Sequence, residues 1–249
     1  MNYLSDIYSK MGVELDPAEN YFEVDSRFML LEKTLRGLPA GKVCDLGCGR
    51  GALLNRLRDR HSCSGTDFDS GAVQHCATQG LTVRQVDLND AAELPFPNVT
   101  FDAIVISEVC EHLLDPRNAL RLAKRHLRSG GTLVVTVPNA LPLFARLKLL
   151  FGKSVDWLHY PSPDTEKTGH IRFYTKESMT RLLTEEGFAV VKVSGVSFRM
   201  NGSFWGRLCY WLPRLLFIRS KTAPTKIDLC LGRLMPGVAP GLFFVCGKF

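Results

Sequence analysis

The stretch from Lys42 to Leu54, KVCDLGCGRGALL, sets an apolar strand against a glycine-rich loop and the opening of a helix. Such a loop points backbone N–H groups and a helix N-terminus at one spot, which suits an anion. Gly47, Gly49 and Ala52 satisfy the permissive G-x-G-x-x-G/A spacing of dinucleotide-binding loops. Asp45 stands just ahead of the first glycine, where a carboxylate would repel a pyrophosphate. The charge at Asp45 therefore favours a ligand that has cationic centres and no phosphate.

Around this stretch, strand-like and helix-like runs alternate. SRFMLLEKTLRGL precedes it and stops near Gly37 and Pro39; ALLNRLRDR follows it as a helix. Further strands are expected at CSGTD, LTVRQV, FDAIVI and TLVVTV, with helices from Ser70 to the Gly80 stop and over PRNALRLAKRHL. The latter is expected to end in a turn at Ser129, Gly130 and Gly131. Irregular sequence runs from Pro138 to Phe173. A helix capped by Thr175 and the strand FAVVKV follow, then a second irregular stretch from Ser197 to Gly241 and a last strand, LFFVCGK. The alternation predicts an α/β fold: a doubly wound, mostly parallel seven-stranded sheet with helices on both faces. Insertions are expected after strand 5 and between strands 6 and 7. One domain covers 1–249, with an N-terminal helical region at 1–39, a cofactor-binding core at 40–138 and substrate-facing or lid insertions at 139–174 and 197–241.

The chain has 249 residues, 45% hydrophobic and 22% charged, which is ordinary for a globular protein with a sizeable core. Its eight cysteines form no C-x-x-C pair and sit in apolar contexts, so buried reduced thiols are expected. The net charge of +6 is localised: residues 192–248 hold nine Lys and Arg against the single acid Asp228. The first residues, MNYLSDIYSKMGVELD, lack a sustained apolar run, so no secretory signal and a cytoplasmic location are expected.

S-adenosylmethionine carries a sulfonium, an ammonium and a carboxylate, and thus meets the charge requirement at Asp45. VCDLGCGRG resembles the first motif of the class I S-adenosylmethionine-dependent methyltransferases, and the downstream motifs keep the same order. Asp67 in GTDFD, 22 residues after Asp45, falls where the family binds the ribose hydroxyls. The resemblance implies that Phe68 lies against the adenine and that Asp87 and Leu88 in VDLND read its amine and ring edge. It places Asp45, Gly47, Cys48, Gly49 and Gly51 around the methyl donor, and counts Ser107 and Glu108, at the end of the fourth-strand block, among the cofactor-binding residues. S-adenosyl-L-homocysteine is the implied product. LRSGGTLVVTVPN resembles the fifth-strand block, with Ser129 where proline is more usual.

Methyl transfer is an in-line displacement, so an acceptor must be held near the methyl group and lose its proton. In SEVCEHLLDP, a helix after the fourth strand would bring Glu108, Glu111 and His112 to one side. His112 is the natural general base, with Glu111 orienting it and His170 in TGHIRFYT as a further candidate; His159 is weaker. E-x-x-E-H with a later His is also similar to small-RNA 3′-terminal 2′-O-methyltransferases and ubiquinone-biosynthesis O-methyltransferases. In the first group such residues hold a divalent ion, yet similar segments occur in members without one. No metal ligand is assigned, and a divalent metal is kept as an alternative.

An Asn-Pro-Pro-Tyr-type motif is absent, which counts against adenine and amide nitrogen acceptors. HIRFYTKESMTRLLTEEGF is similar to the quinone and small-molecule branch. The expected acceptor is a small, hydrophobic, hydroxyl-bearing metabolite such as a quinone precursor, a lipid or a lipid-linked sugar. The apolar, basic stretches at 141–152 and 204–221 suit a lid over the site, and 204–221 also suits peripheral contact with a membrane. Nucleic acid is not the expected partner, since no RNA-binding module is recognisable. Two alternatives stand beside this reading: a metal-dependent RNA 3′-terminal 2′-O-methyltransferase, and a cofactor-binding protein without turnover. The sequence leaves the oligomeric state open.

Overall fold

The computed structural model describes residues 26–155, 169–196 and 232–248. Helix α1 (Ser26–Arg36) leads into β1 (Lys42–Leu46), α2 (Ala52–Leu57), β2 (Ser62–Asp67), α3 (Ser70–Thr78), β3 (Thr82–Gln85) and β4 (Phe101–Ser107). Then come α4 (Pro116–His126), β5 (Leu127–Pro138), α5 (Leu143–Leu150), α6 (Lys176–Glu185), β6 (Ala189–Val196) and β7 (Gly241–Gly247). The seven strands form one sheet in the order β3-β2-β1-β4-β5-β7-β6, with β7 antiparallel to both neighbours. The expected mostly parallel sheet is thus present, with the one reversed strand at the end of the chain.

Alternation along the strands explains why helices cover both faces. Cys44, Ile104, Ile106, Leu133, Val135 and Phe244 pack with Leu120 and Ala123 of α4 and Met179 and Leu183 of α6. Their odd-register neighbours Val43, Ala103, Val105, Val134 and Phe243 pack with Leu31 and Leu35 of α1 and Leu53 and Leu57 of α2. A strand buried on both sides reads as an unbroken apolar run, which is why FDAIVI and TLVVTV lack polar alternation. Helix α6 begins with the expected Thr175 cap. Thr175 Oγ1 accepts from Ser178 N at 3.2 Å and Ser178 Oγ accepts from Thr175 N at 2.9 Å, a reciprocal capping box.

Two local expectations are corrected. Ser129, Gly130 and Gly131 form no turn between α4 and β5. Leu127 already pairs with Phe101, and the register slips before Ala103 meets Thr132. The extra residues form a bulge held to Lys248, just after β7: Gly130 N donates to Lys248 O at 2.8 Å and Lys248 N to Gly131 O at 3.1 Å. Helix α2 ends at Leu57, short of the run to Arg60 suggested by its pattern. The described cysteines are free thiols: Cys44, Cys76, Cys110 and Cys246 are buried, and Cys48 and Cys63 half-buried. Among the described residues no helix is long and apolar enough to cross a membrane. The stretch 204–221 lies outside the described residues.

Candidate active site

Strand order reverses between β1 and β4, and the loops leaving their carboxyl ends flank a crevice of the kind that binds ligands in open α/β sheets. The glycine loop folds back over the end of β2. Gly47 N and Cys48 N donate to Thr66 O at 2.7 and 2.9 Å, which brings Gly49 to Asp67. Asp67 Oδ2 accepts the Gly49 N–H at 2.7 Å and Oδ1 accepts from Asp69 N at 2.9 Å. A carboxylate offers about four lone-pair sites. Two N–H groups therefore orient Asp67 while leaving it capacity for two hydroxyls.

Gly47 and Gly49 both have left-handed backbone, at φ 81° and 52°, for different reasons. A Cβ on Gly47 would lie 2.4 Å from Val109 Cγ2, so this glycine lets the β1 and β4 loops meet. A Cβ on Gly49 would meet nothing within 4 Å, so here the bare backbone borders open space that a ligand can enter. Gly51 instead packs on Leu81 and Cys76. The Cys48 thiol turns inward, 3.6 Å from Gly49 O, and joins the cluster around Leu54 and Cys76.

Asp45 is only 4% exposed, and its Oδ1 has no hydrogen-bond partner among the described residues. Burial, and then the neighbouring Asp67 carboxylate, push its pKa up to about 7. An unpaired buried carboxyl oxygen is costly until a donor or cation meets it. This orphaned oxygen, the open space at Gly49 and the remaining lone pairs of Asp67 together fit a donor with a ribose and positive charge.

At the expected adenine end, half-buried Phe68 is fixed through its carbonyl, which accepts from Gln85 Nε2 at 3.0 Å. Asp87 Oδ1 accepts from both Asn89 N and Asn89 Nδ2, at 2.9 and 3.0 Å. Leu88 is buried in the main core, so its contact to a base would come from its backbone.

On the acceptor side the expected helix after β4 is absent. Glu108 takes a left-handed φ of 55°, and His112 N closes a turn on Val109 O at 2.9 Å. The expectation that Glu108, Glu111 and His112 share one helical side is therefore corrected. Glu108 Oε2 lies 2.7 Å from Arg27 Nη1, and its Oε1 accepts from Thr136 Oγ1 at 2.9 Å. Thr136 is in turn 2.9 Å from Ser107 Oγ. Ser107 and Glu108 thus form a polar relay that ties α1 to the sheet. No local pattern in the sequence marks Arg27 as its partner.

Glu111 and His112 gather instead with His170, their ligating atoms all within 4.8 Å of one another. Backbone contacts enforce this meeting. Ile171 N and Arg172 N both donate to Glu111 O at 3.0 Å, Arg172 Nε donates to Leu113 O at 2.8 Å, and Tyr174 OH donates to Cys110 O at 3.2 Å. Sequence reasoning named His170 but missed the Arg172 and Tyr174 stitches that place it. The weaker candidate His159 lies outside the described residues.

Glu111 is 1% exposed, and neither carboxyl oxygen has a hydrogen-bond partner among the described residues; His170 Nε2 approaches only to 4.0 Å. Burial first, then the Glu108 charge, hold the Glu111 pKa well above the usual carboxylate range. His112 Nδ1 lies 3.2 Å from Gly169 O. A carbonyl can only accept, so Nδ1 carries the hydrogen and the lone pair of the neutral ring lies on Nε2.

A family model described as a methyltransferase domain matches residues 23–193. A probable S-adenosylmethionine-dependent methyltransferase of Mycobacterium tuberculosis is 30% identical over 200 residues, covering 80% of this chain and 62% of that protein. The ubiquinone biosynthesis O-methyltransferase of Alkalilimnicola ehrlichii is 28% identical over 153 residues, covering 55% of this chain and 61% of that one. The chain thus spans about three-fifths of the length of these relatives. A Thermotoga maritima structure, described as a methyltransferase and possible histamine N-methyltransferase, superposes with a TM-score of 0.62 at 19% identity. It covers 99% of this chain and 100% of its own, a likeness of fold. The matched domain, the sheet order and the glycine loop with its acids agree, and the chain belongs to the class I S-adenosylmethionine-dependent methyltransferases.

Proposed function

We propose that this protein is an active enzyme that methylates a hydroxyl oxygen of a small, hydrophobic metabolite of the quinone-precursor, lipid or lipid-linked-sugar type. The meeting of Glu111, His112 and His170 beside the cofactor loop carries this reading. Bound S-adenosylmethionine supplies an electrophilic methyl group. Asp67 holds the ribose hydroxyls, Asp87 and the Leu88 backbone hold the adenine, Phe68 lies against the ring, and Asp45 faces the positive charge. His112 Nε2 takes the acceptor's hydroxyl proton as the oxygen attacks, and Gly169 O stabilises the imidazolium through Nδ1–H. Burial favours the protonated form of Glu111, which donates a hydrogen bond that orients the acceptor, and His170 closes the other side. Similarity to ubiquinone O-methyltransferases supports oxygen as the acceptor atom.

The test uses methyl-labelled cofactor with a fractionated metabolite and lipid extract. Label moving into the organic phase as a methyl ether supports the reading. Label confined to methylamines or to RNA termini argues against it.

A second reading adds a divalent ion, and the two unpaired, buried Glu111 oxygens favour it. Glu111, His112 and His170 would hold the ion, with further positions open to two vicinal hydroxyls, as in a diol or an RNA 3′ end. The two readings assign the His112 Nε2 lone pair to different partners. Activity that vanishes on chelation and returns with Mg²⁺, Mn²⁺ or Zn²⁺ selects the second; indifference to chelation selects the first.

A further inference from the structure

Helix α5 wears its apolar face outward. Its one buried residue is the small Ala145, whereas Leu143, Phe144 and Leu147 are 46%, 37% and 37% exposed. Leu150 and the capping residue Phe151 reach 75% and 74%. At about 100° per residue, these five side chains fill one arc, Arg146 and Lys148 stand on its two margins, and Ala145 lies opposite beside Leu149, which is 40% exposed. Apolar residues flanked by cations on a helix surface are the pattern of an interfacial helix. From Asn139 to Val155 the chain carries Arg146, Lys148 and Lys153 and no acid.

The helix is set on firm footing. Ala140 N donates to Tyr174 O at 2.7 Å and Leu141 N to Asn139 Oδ1 at 3.0 Å, while Asn139 Nδ2 donates to Ala239 O at 2.7 Å. Arg146 Nε donates to Leu141 O at 2.8 Å. These bonds fix α5 at the carboxyl end of β5, the end of the sheet that also carries Glu111, His112 and His170.

We propose that α5 docks the protein on an anionic lipid bilayer, with Leu143, Phe144, Leu147, Leu150 and Phe151 at the acyl boundary and Arg146, Lys148 and Lys153 among the headgroup phosphates. Charge selects this occupant. A second copy packed face to face would set the same three cations against themselves, and residues 197–231 are also strongly basic in sequence. An anionic bilayer complements both the apolar arc and its cationic margins.

The full chain is to be sedimented with vesicles of phosphatidylglycerol and phosphatidylcholine in equal parts, and with phosphatidylcholine alone. Binding to the first, weakened by salt, is expected, with little binding to the second. The double substitution Leu150→Ser, Phe151→Ser should reduce apparent vesicle affinity by about tenfold or more, and Lys148→Glu should also weaken it. S-adenosylmethionine affinity should stay unchanged in each variant, which verifies the fold. Four results would overturn the proposal. The first is failure of the wild-type chain to sediment with anionic vesicles. Binding of the double variant as tight as that of wild type would move the contact elsewhere, such as to 204–221. A double variant that melts several degrees lower with vesicle binding unchanged would mean that the chain itself covers the arc. A dimer dispersed by the double substitution would identify a second copy as the occupant.

Discussion

The imidazole rings of His112 and His170 lie with centroids 4.9 Å apart and planes tilted by 57°, although α4, β5 and most of the first insertion separate them in the chain. The carbonyl of Glu111 holds both Ile171 N and Arg172 N, so the pair is fixed by backbone and not by the rings themselves. With Nδ1–H directed at Gly169 O, the His112 lone pair lies on Nε2, as a general base or a metal ligand requires.

His112→Ala should lower kcat by roughly 10²–10⁴-fold, the usual contribution of a positioned base, while the S-adenosylmethionine Kd stays within about twofold. Comparison of turnover with equilibrium binding on the same preparation checks this. A parallel loss of both would make His112 a structural residue.

Asp67→Ala removes the acceptor of the Gly49 N–H together with the expected ribose contacts. Loss of charge-assisted hydrogen bonds of this kind should weaken cofactor binding by roughly 10–100-fold. Equilibrium dialysis against labelled S-adenosylmethionine reads the effect directly, and unchanged affinity would remove Asp67 from the ribose site.

The two glycines should respond differently to alanine. Both substitutions pay a left-handed backbone cost of about 1–2 kcal/mol. At Gly47 the new methyl also meets Val109, so Gly47→Ala should lower Tm further. At Gly49 it enters open space, so Gly49→Ala should keep most of the stability and lose cofactor affinity by about tenfold or more. Thermal melts with and without cofactor separate the two effects.

Asp45 gives a signed pH prediction. In the folded protein it keeps its proton up to about pH 7, whereas an unfolded aspartate loses it near ~3.9. Between these values the folded chain binds more protons, so the stability of the free protein falls as pH rises through that window. Buried Glu111, also raised, contributes in the same direction. A cationic ligand favours the ionised form of Asp45, so S-adenosylmethionine affinity should rise with pH through about 7 and binding should release a proton. Calorimetry in buffers of different ionisation enthalpy detects that proton. Asp45→Asn should abolish the release; a wild-type affinity independent of pH would contradict the role given to Asp45.

Much of the sheet was legible because the buried strands are unbroken apolar runs, and Thr175 with Ser178 forms a cap signalled within four residues of sequence. The cofactor loop was legible for the same reason: Asp45, Gly47, Gly49 and Asp67 lie close together along the chain. The acceptor side was legible in membership and not in geometry. A helix after β4 is a reasonable extrapolation from E-x-x-E-H, but the left-handed backbone of Glu108 ends any helical register and turns its carboxylate to Arg27. That partner lies on α1, and no local pattern identifies it. The bulge at Gly130 is likewise set by Lys248, at the far end of the chain.

The most direct test is transfer of labelled methyl from S-adenosylmethionine to a lipid and metabolite extract, with wild type and His112→Ala run side by side after both are shown to bind the cofactor. The account predicts a labelled, organic-soluble methyl ether from wild type, and from the variant a rate lower by roughly two orders of magnitude or more. A wild-type protein that binds S-adenosylmethionine tightly yet labels nothing in the extract, or a variant that works as fast as wild type, would contradict it.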